Sequence, residues 1–397
     1  MLIGVVGKAN TGKSTFFKAA TLMDIEIANY PFATIKPNQG IGFVSVPCVD
    51  KDFGVQCDPK IGYCREHQRF IAVDMIDVAG LVPGAHEGKG MGLEFLNDLN
   101  QADCLIHVID ASGSTNEGGE PGATGSYDPA KDIAFLEEEL DHWYLNLLKK
   151  PWEKFARATA QTNEDAAKAL HKQFSGLGST EDMIKSLLKQ TSLENKKLNE
   201  WSEKELFAFA KALRKHTKPM IIAANKLDLP NAQENLKKLK ERFPEHTIVG
   251  CSAVAELALK EADKQQSVTY LPGDDHFDVK GELNEQQQKG LDYIKTNVLE
   301  EHGSTGVQDV INTATLDTLD NIAVWPVATN KLTDKDGNVL PDVFLLPAKS
   351  TAIEFAYKVH TDFGKNFIRA IHLQTKKTVG KDFALHHRDV IEIVADK

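Results

Sequence analysis

No apolar run in the 397 residues approaches the ~20 needed to cross a bilayer. The amino end, Met1-Leu2-Ile3-Gly4-Val5-Val6, carries no basic stretch ahead of an apolar one, so no export signal is expected. Cysteine is scarce and odd in number, 5 in all, which excludes a disulfide-stapled miniprotein and points to reduced thiols in a cytoplasm. No internal repeat is visible. Positive charge is in deficit, 46 Lys+Arg against 57 Asp+Glu, and the net −11 argues against a protein that coats nucleic acid over its whole surface. DNA is not an expected partner. What is present, 42% apolar and 26% charged residues, is ordinary for a soluble globular protein. The length predicts roughly 2 to 3 domains. The charge is unevenly spread. From Asp320 onward 11 Lys+Arg face 10 Asp+Glu, a net +1, so the preceding 319 residues carry −12.

Short apolar runs rich in β-branched residues lie at 2–6, 71–76, 104–109, 220–224 and 247–251, with helical patterns between them. Strands alternating with helices predict an α/β domain whose mostly parallel sheet is covered on both faces. Residues 112–126, rich in Gly, Ser and Thr, read as a flexible loop. From about Pro129 to His216 the pattern is helical only, with Ile133, Leu136, Leu140, Trp143 and Leu147 at spacings of three and four. Ser202-Glu203-Lys204-Glu205 opens its last helix with a capping-box pattern, and Pro219 stops it. This stretch is expected to be a helical insert in which Trp143, Trp152 and Trp201 serve the core rather than stack on bases. Helical segments resume over 254–264 and 285–319. Then 321–327 alternates, Asp336-Gly337 signals a hairpin turn, 351–359 reads as a helix and 389–394 as a last strand. The expected division is 1–255 with the insert at about 129–217, a helical linker over 256–319, and a small ubiquitin-like roll over 320–397.

Gly7-Lys8-Ala9-Asn10-Thr11-Gly12-Lys13-Ser14 matches G-x-x-x-x-G-K-[ST] and sits between an apolar strand and an amphipathic helix. Its glycines let successive N–H groups converge on phosphate oxygens, and the helix beginning near Ser14 and Thr15 aims its positive end at the same place. Lys13 is suited to neutralise β- and γ-phosphates, and the Ser14 hydroxyl to ligate Mg²⁺. Asp77-Val78-Ala79-Gly80 follows the second apolar strand. Asp77 can hold the ion through water, and Gly80 can offer its N–H to the γ-phosphate. Asn225-Lys226-Leu227-Asp228 follows another strand. The Asp228 carboxylate can accept both N1–H and the 2-amino group of guanine, whereas adenine would turn a lone pair toward it. Losing such a pairing in a closed site costs roughly 10⁴-fold in discrimination. Asn225 can tie this loop to the phosphate loop, and the Lys226 stem can cover the base. Ser252-Ala253 fits a last base-contacting loop. The order of the four elements is what makes each one persuasive.

Those four motifs match the small-GTPase signature, and the residues between them narrow it. Asn29-Tyr30-Pro31-Phe32-Ala33-Thr34-Ile35-Lys36-Pro37-Asn38, with Asp77 through Ala85 and on into Gly88, Gly90 and Gly92, closely resembles the Obg-related GTPases. Within them it looks like the YchF branch and its archaeal and eukaryotic relatives. The tail, with Ala356-Tyr357-Lys358-Val359-His360-Thr361-Asp362 and Val379-Gly380-Lys381-Asp382, is similar to the family's TGS domain. The resemblance implies a P-loop NTPase fold, a Ras-like G domain with a helical insert and a C-terminal β-grasp domain. It also implies hydrolysis of GTP or ATP, and association with ribosomes or translation factors through the TGS domain and the insert. Some YchF proteins have an altered base motif and prefer ATP; this chain keeps Asn225, Lys226 and Asp228, which favours GTP and GDP.

By the same resemblance Thr34 is the switch threonine that reaches Mg²⁺ and the γ-phosphate. Leu81 stands where Ras-like enzymes place a water-orienting glutamine, so intrinsic hydrolysis should be slow. His86, just beyond, is read as a switch histidine without that duty. Asn10 matches an asparagine that helps bind K⁺ in potassium-activated relatives, so K⁺ beside the phosphates is an open reading against a merely loop-shaping Asn10. Two rivals stay open: an ATP-hydrolysing P-loop protein or small-molecule kinase, and a ribosome or RNA adaptor whose nucleotide is structural. Basic residues of the tail (Lys365, Arg369, Lys376, Lys377, Lys381) can contact RNA phosphates or be a plain solvated face. Cys48, Cys57, Cys64 and His67 lie within 20 residues, but at spacings of x₈, x₆ and x₂ rather than tight C-x₂-C pairs. Free thiols are therefore expected there in preference to a Cys₃His zinc site.

Overall fold

The structure is a computed structural model and describes residues 1–21, 38–78, 99–162, 164–328, 331–334 and 336–396. The chain forms two compact units, Met1–Phe17 with Ile76–Ser252 and Lys18–Met75 with Ala253–Lys397. In chain order the first part runs β1 (Leu2–Val6), α1 (Lys13–Thr21), β2 (Gln39–Pro47), β3 (Tyr63–Arg65), β4 (Gln68–Asp77) and β5 (Cys104–Asp110). The helices α2 (Ala130–Thr162), α3 (Ala166–Phe174), α4 (Glu181–Gln190) and α5 (Glu203–Thr217) follow, then β6 (Met220–Asn225), α6 (Ala232–Arg242) and β7 (Thr247–Gly250).

In the first unit β1, β5, β6 and β7 lie side by side and parallel, with Ile3 opposite Cys104, Leu105 opposite Met220 and Ile221 opposite Thr247. All seven residues of β5 and all six of β6 are buried, which is why these strands read as unbroken apolar runs. Their carboxyl ends, at Val6, Asp110, Asn225 and Gly250, deliver the loops of the site described below. The helices form the expected insert. Ile133, Leu136, Leu140 and Leu148 of α2 are buried with Phe209 and Leu213 of α5 in one continuous core. Leu147 packs on that core only partly buried, the fully buried residue being its neighbour Leu148. Trp143, Trp152 and Trp201 are all at least nine-tenths buried, with ring centroids of Trp152 and Trp201 5.2 Å apart. The capping box on α5 is complete: Glu205 N–H donates to Ser202 Oγ and Ser202 N–H to the Glu205 carboxylate. Arg214, buried on α5, donates to Asp141 at 2.8 Å and Glu137 at 3.0 Å across on α2.

Residues 112–126 differ from the sequence expectation. They form a hydrogen-bonded excursion, with Gly122 N–H donating to Ser114 O at 2.6 Å, Gly125 to Ser112 O at 2.8 Å and Tyr127 to Gly113 O at 3.1 Å. Glycine serves tight turning here: Gly113, Gly119 and Gly125 all have positive φ.

In the second unit α7 (Ala253–Lys264) is followed by a two-residue ladder, β8 (Val268–Thr269) with β9 (Asp278–Val279). The helical stretch expected over 285–319 is interrupted: α8 (Glu285–Ile294) passes into a π segment, Gly303 and Gly306 take positive φ, and α9 (Val307–Asn312) ends in a second π segment. The carboxyl-terminal sheet comprises β10 (Asn321–Val327), β11 (Phe344–Pro347), β12 (Phe367–His372), β13 (Lys377–Val379) and β14 (Val390–Ala395). Their order is β11-β10-β14-β12-β13, with β10 and β14 parallel and the other pairs antiparallel. One helix, α10 (Ala352–Val359), buries Ala352, Phe355 and Ala356 against it, the β-grasp arrangement. Asp336-Gly337 turns a smaller loop inside the β10–β11 connection, where Asp334 Oδ1 accepts from both Asp336 and Asn338 N–H.

Candidate nucleotide-binding site

The site grows from the carboxyl ends of four parallel strands in the first unit. After β1 the chain turns through Gly7 to Gly12, and Phe16 N–H donates to Gly12 O at 2.8 Å to begin α1. Two glycines are required by their neighbours. A Cβ on Gly7 would lie 2.5 Å from the Val108 carbonyl oxygen, and one on Gly12, at φ 90°, would run into the side-chain amide of Asn225. Asn10 takes φ 60°, an αL conformation that asparagine tolerates. Lys13 heads the helix with Ser14 and Thr15 in its first turn. The Lys13 ammonium pairs with Asp77 at the end of β4, so residues 64 positions apart in sequence meet at the mouth of the loop.

The loops after β6 and β7 lock onto this turn. Asn225, 3% exposed, donates from Nδ2 to the Thr11 carbonyl at 2.9 Å, the tie anticipated from its position. Lys226 adopts φ 64° and sends its ammonium 2.9 Å from Asp110 Oδ2. Leu227 N–H donates to Cys251 O at 3.0 Å, and Ser252 Oγ donates to Asp228 Oδ1 at 2.6 Å. The carboxylate at 228 is therefore held by the very loop expected to sit beside it; Ala253 follows as the first residue of α7. Thr34, Gly80, Leu81 and His86 lie outside the described residues.

Sequence reasoning missed a polar network beneath the phosphate loop. The Asp110 carboxylate accepts from Ser112 Oγ at 2.6 Å, Ser114 Oγ at 2.8 Å and Thr115 Oγ1 at 2.6 Å, besides Lys226. Burial pushes this carboxyl up, but those four donors outweigh it and hold it below its ordinary range. Thr115 Oγ1 also lies 3.3 Å from Asn10 O, and Asn10 Nδ2 donates to Gly119 O at 2.8 Å. Lys8 donates to Thr115 O at 3.0 Å and Asp132 Oδ1 at 2.8 Å, with its ammonium 3.9 Å from the centre of the Tyr127 ring. Nearby His107 is buried and pushed down to about 3, so it stays neutral. The available signal was the spacing of hydroxyls two, four and five residues after a strand-terminal aspartate.

The oxygens of Ser14 and Asp77 expected for Mg²⁺ fit that metal by type, hydroxyl and carboxylate, and residues 7–14 hold no sulfur or imidazole. Ser14 and Asp77 are both within the described residues, and Asp77 is partly exposed, open to a bridging water.

Three family models match the chain. The 50S ribosome-binding GTPase model covers residues 2–150, the Obg-like GTPase YGR210-like G4 motif-containing domain covers 223–329, and the TGS domain covers 331–395. The chain is 48% identical over 395 residues to an uncharacterized GTP-binding protein of Methanocaldococcus jannaschii, spanning 99% of each. It is 27% identical over 374 residues to the ribosome-binding ATPase YchF of Buchnera aphidicola, 92% of this chain and 86% of that one. Its fold superimposes on the crystal structure of a GTP-binding protein from Pyrococcus horikoshii with a TM-score of 0.80 at 37% identity, covering 100% of both.

Proposed function

The chain belongs to the YchF/Obg-like family of P-loop GTPases, and from that premise we propose that it is a Mg²⁺-dependent GTP hydrolase working as a switch in association with ribosomes or RNA in the cytoplasm. The observation that carries the nucleotide reading is the Asn225–Thr11 bond, which joins a base-reading loop to a phosphate loop within one unit. In this reading Gly7, Asn10, Thr11, Gly12, Ser14 and Thr15 line the phosphates, and Asn225, Lys226, Asp228, Ser252 and Ala253 hold the guanine. Ser14, Thr34 and Asp77 would hold Mg²⁺, which when bound neutralises charge on the β- and γ-phosphates. Triphosphate binding transfers the Lys13 ammonium from the Asp77 carboxylate to phosphate oxygens, exchanging one ion pair for another.

Hydrolysis is in-line attack of water on the γ-phosphorus; the bond to the β–γ bridging oxygen breaks and GDP and phosphate leave. Lys13 and the loop N–H groups stabilise the charge that builds on the oxygens. With leucine at 81 nothing at that position orients the water, so the intrinsic rate is slow. Asn10 offers a side-chain oxygen for K⁺, and hydrolysis is expected to run faster in K⁺ than in Na⁺ at matched ionic strength. Contacts of Thr34 and Gly80 with the γ-phosphate order their segments in the GTP state and release them afterwards. The ribosome reading is supported by the TGS domain and by the printed name of the Buchnera relative. We further read 1–255, with its insert at about 129–217, as the nucleotide-handling part, 256–319 as a helical linker and 320–397 as the TGS part.

Calorimetry with GTP, ATP and XTP tests the base assignment. Wild type should favour GTP over ATP by about 10²-fold or more, and Asp228→Asn should transfer the preference to XTP. Equal GTP affinity in that variant would remove Asp228 from the base contact. Tighter ATP than GTP binding by the wild type would favour the ATPase reading, for which the name of the Buchnera relative speaks.

A further inference from the structure

In sequence between Thr34 and Asp77, the second unit gathers sulfur. Pro47 ends β2, Cys48 precedes a 3₁₀ turn over Val49–Phe53, and Gly54 closes that turn at φ 64°. Cys57 follows, and Cys64 lies on β3. Glu66 and His67 both take positive φ to turn β3 into β4, and Cys48 N–H donates to His67 O at 2.7 Å. Cys48 Sγ comes 3.5 Å from Cys57 Sγ, and Cys64 Sγ lies 3.7 Å from Asp50 Oδ2. The three sulfurs and an Asp50 oxygen all lie within 4.8 Å of one another.

We propose that Cys48, Asp50, Cys57 and Cys64 form a structural zinc site. Tetrahedral coordination with Zn–S near 2.3 Å places sulfurs about 3.8 Å apart, close to the spacing found, and far tighter than an iron–sulfur cluster would require. His67, the fourth member suggested by the sequence, is outside the donor set. Its Nδ1 lies 2.9 Å from Asp50 Oδ1, where an imidazole orients a ligating carboxylate. Asp50 is fully buried and also accepts from Cys57 N–H at 3.0 Å, so its direction is fixed from two sides.

The surroundings suit a cluster of negative charge. Arg69 is fully buried with Nη1 3.6 Å from Cys57 Sγ, and its Nε has no acceptor among the described residues. A guanidinium in such a place needs a counter-charge, and three thiolates with a carboxylate around Zn²⁺ leave a net −2 beside it. Zinc binding releases to solvent whatever protons the three thiols hold, with no change in oxidation state. Four protein donors leave no position for water, which makes the site structural rather than catalytic. The other donor cluster among the described residues, Glu137 with Glu245 and His246, already faces a cation, since Arg214 Nη2 lies 3.0 Å from Glu137.

The site has a mechanical purpose. Arg69 donates to Leu340 O at 3.2 Å and Pro341 O at 2.7 Å, while Asp58 and Lys60 N–H donate to Val339 O and Pro341 O. Zinc would fix the extension that carries these donors, so that the connection between β10 and β11 docks on a preformed edge.

Metal analysis of the full chain, purified under reducing conditions without a metal-affinity step, should find one zinc per chain. Replacement with Co²⁺ should give the intense visible bands and thiolate-to-metal charge transfer of a tetrahedral sulfur site. Cys64→Ser should lose the stoichiometric zinc, Cys104→Ser should keep it, and His67→Ala should keep it with affinity lowered about 10-fold or more. Metal-free protein with five free thiols, a Cys48–Cys57 disulfide, or iron in place of zinc would overturn the proposal. Zinc that survives Asp50→Asn but not His67→Ala would overturn the donor set. The Co²⁺ spectrum of the wild type keeps the test decisive if a cysteine variant fails to fold.

Discussion

Within the first unit the nucleotide face and the helical insert are built by opposite means. Around the phosphate loop, order comes from side chains bonding to backbone and to one another, as when Asp110 collects three hydroxyls and an ammonium. In the insert, order comes from apolar and aromatic burial, with Trp201 5.2 Å from both Trp152 and Phe209. Polar ordering fixes directions with few atoms and leaves the surface open to a charged ligand. Apolar ordering fixes a shape and is indifferent to what binds elsewhere. A change at a ligand-facing side chain of the first should therefore be read in ligand affinity, and a change in the buried framework of either in unfolding free energy.

Trp201→Ala should produce the largest stability loss, about 3–5 kcal/mol, seen in denaturant titration, while GTP affinity measured well below the unfolding transition stays put. A weakened GTP affinity in that folded variant would mean the two regions are not separable as described. Lys13→Ala should do the reverse: nucleotide affinity falls about 100-fold by calorimetry, because the charge meeting the phosphates is gone, with little loss of stability. Thr115→Val removes a donor 2.6 Å from a buried carboxylate, and about 1–3 kcal/mol of stability should go with it. It tests whether the network under the phosphate loop is structural; a Thr115→Val protein as stable as wild type would say it is not. Ser202→Ala, which takes away one half of the α5 capping box, should cost about 1 kcal/mol in thermal or denaturant unfolding.

The two kinds of order also differ in how far they can be read from sequence. Apolar periodicity leaves a trace, so the insert and the parallel strands β1, β5, β6 and β7 were legible to within one residue at each end, whereas β2 was not read as a strand. The turns at 7–14 and 225–228 stood out in the sequence because they use residue types that little else demands, and the structure requires Gly7 and Gly12 for clearance and Asn225 for the tie. The network of Asp110, Ser112, Ser114, Thr115, Gly119 and Lys8 was not, because it has no period, and its glycines and serines resemble those of a mobile loop. The π segments in the helical stretch after 285 were equally silent, since one extra residue in a turn hardly disturbs a hydrophobic pattern. At the cysteines, spacing discouraged a metal reading. What brings the sulfurs together is a 3₁₀ turn and a two-residue reversal with positive φ, which sequence spacing cannot express.

The contact between Gly12 and the Asn225 amide leaves no room for even a methyl group, so the two loops proposed to hold the phosphates and the purine form a single rigid gauge. A gauge of fixed length measures spent and unspent nucleotide alike from the purine end. If the chain hydrolyses its nucleotide as proposed, whatever tells spent from unspent must then sit at the far tip of the tail, and the lifetime of the exhausted complex would be set by how fast that gauge lets go.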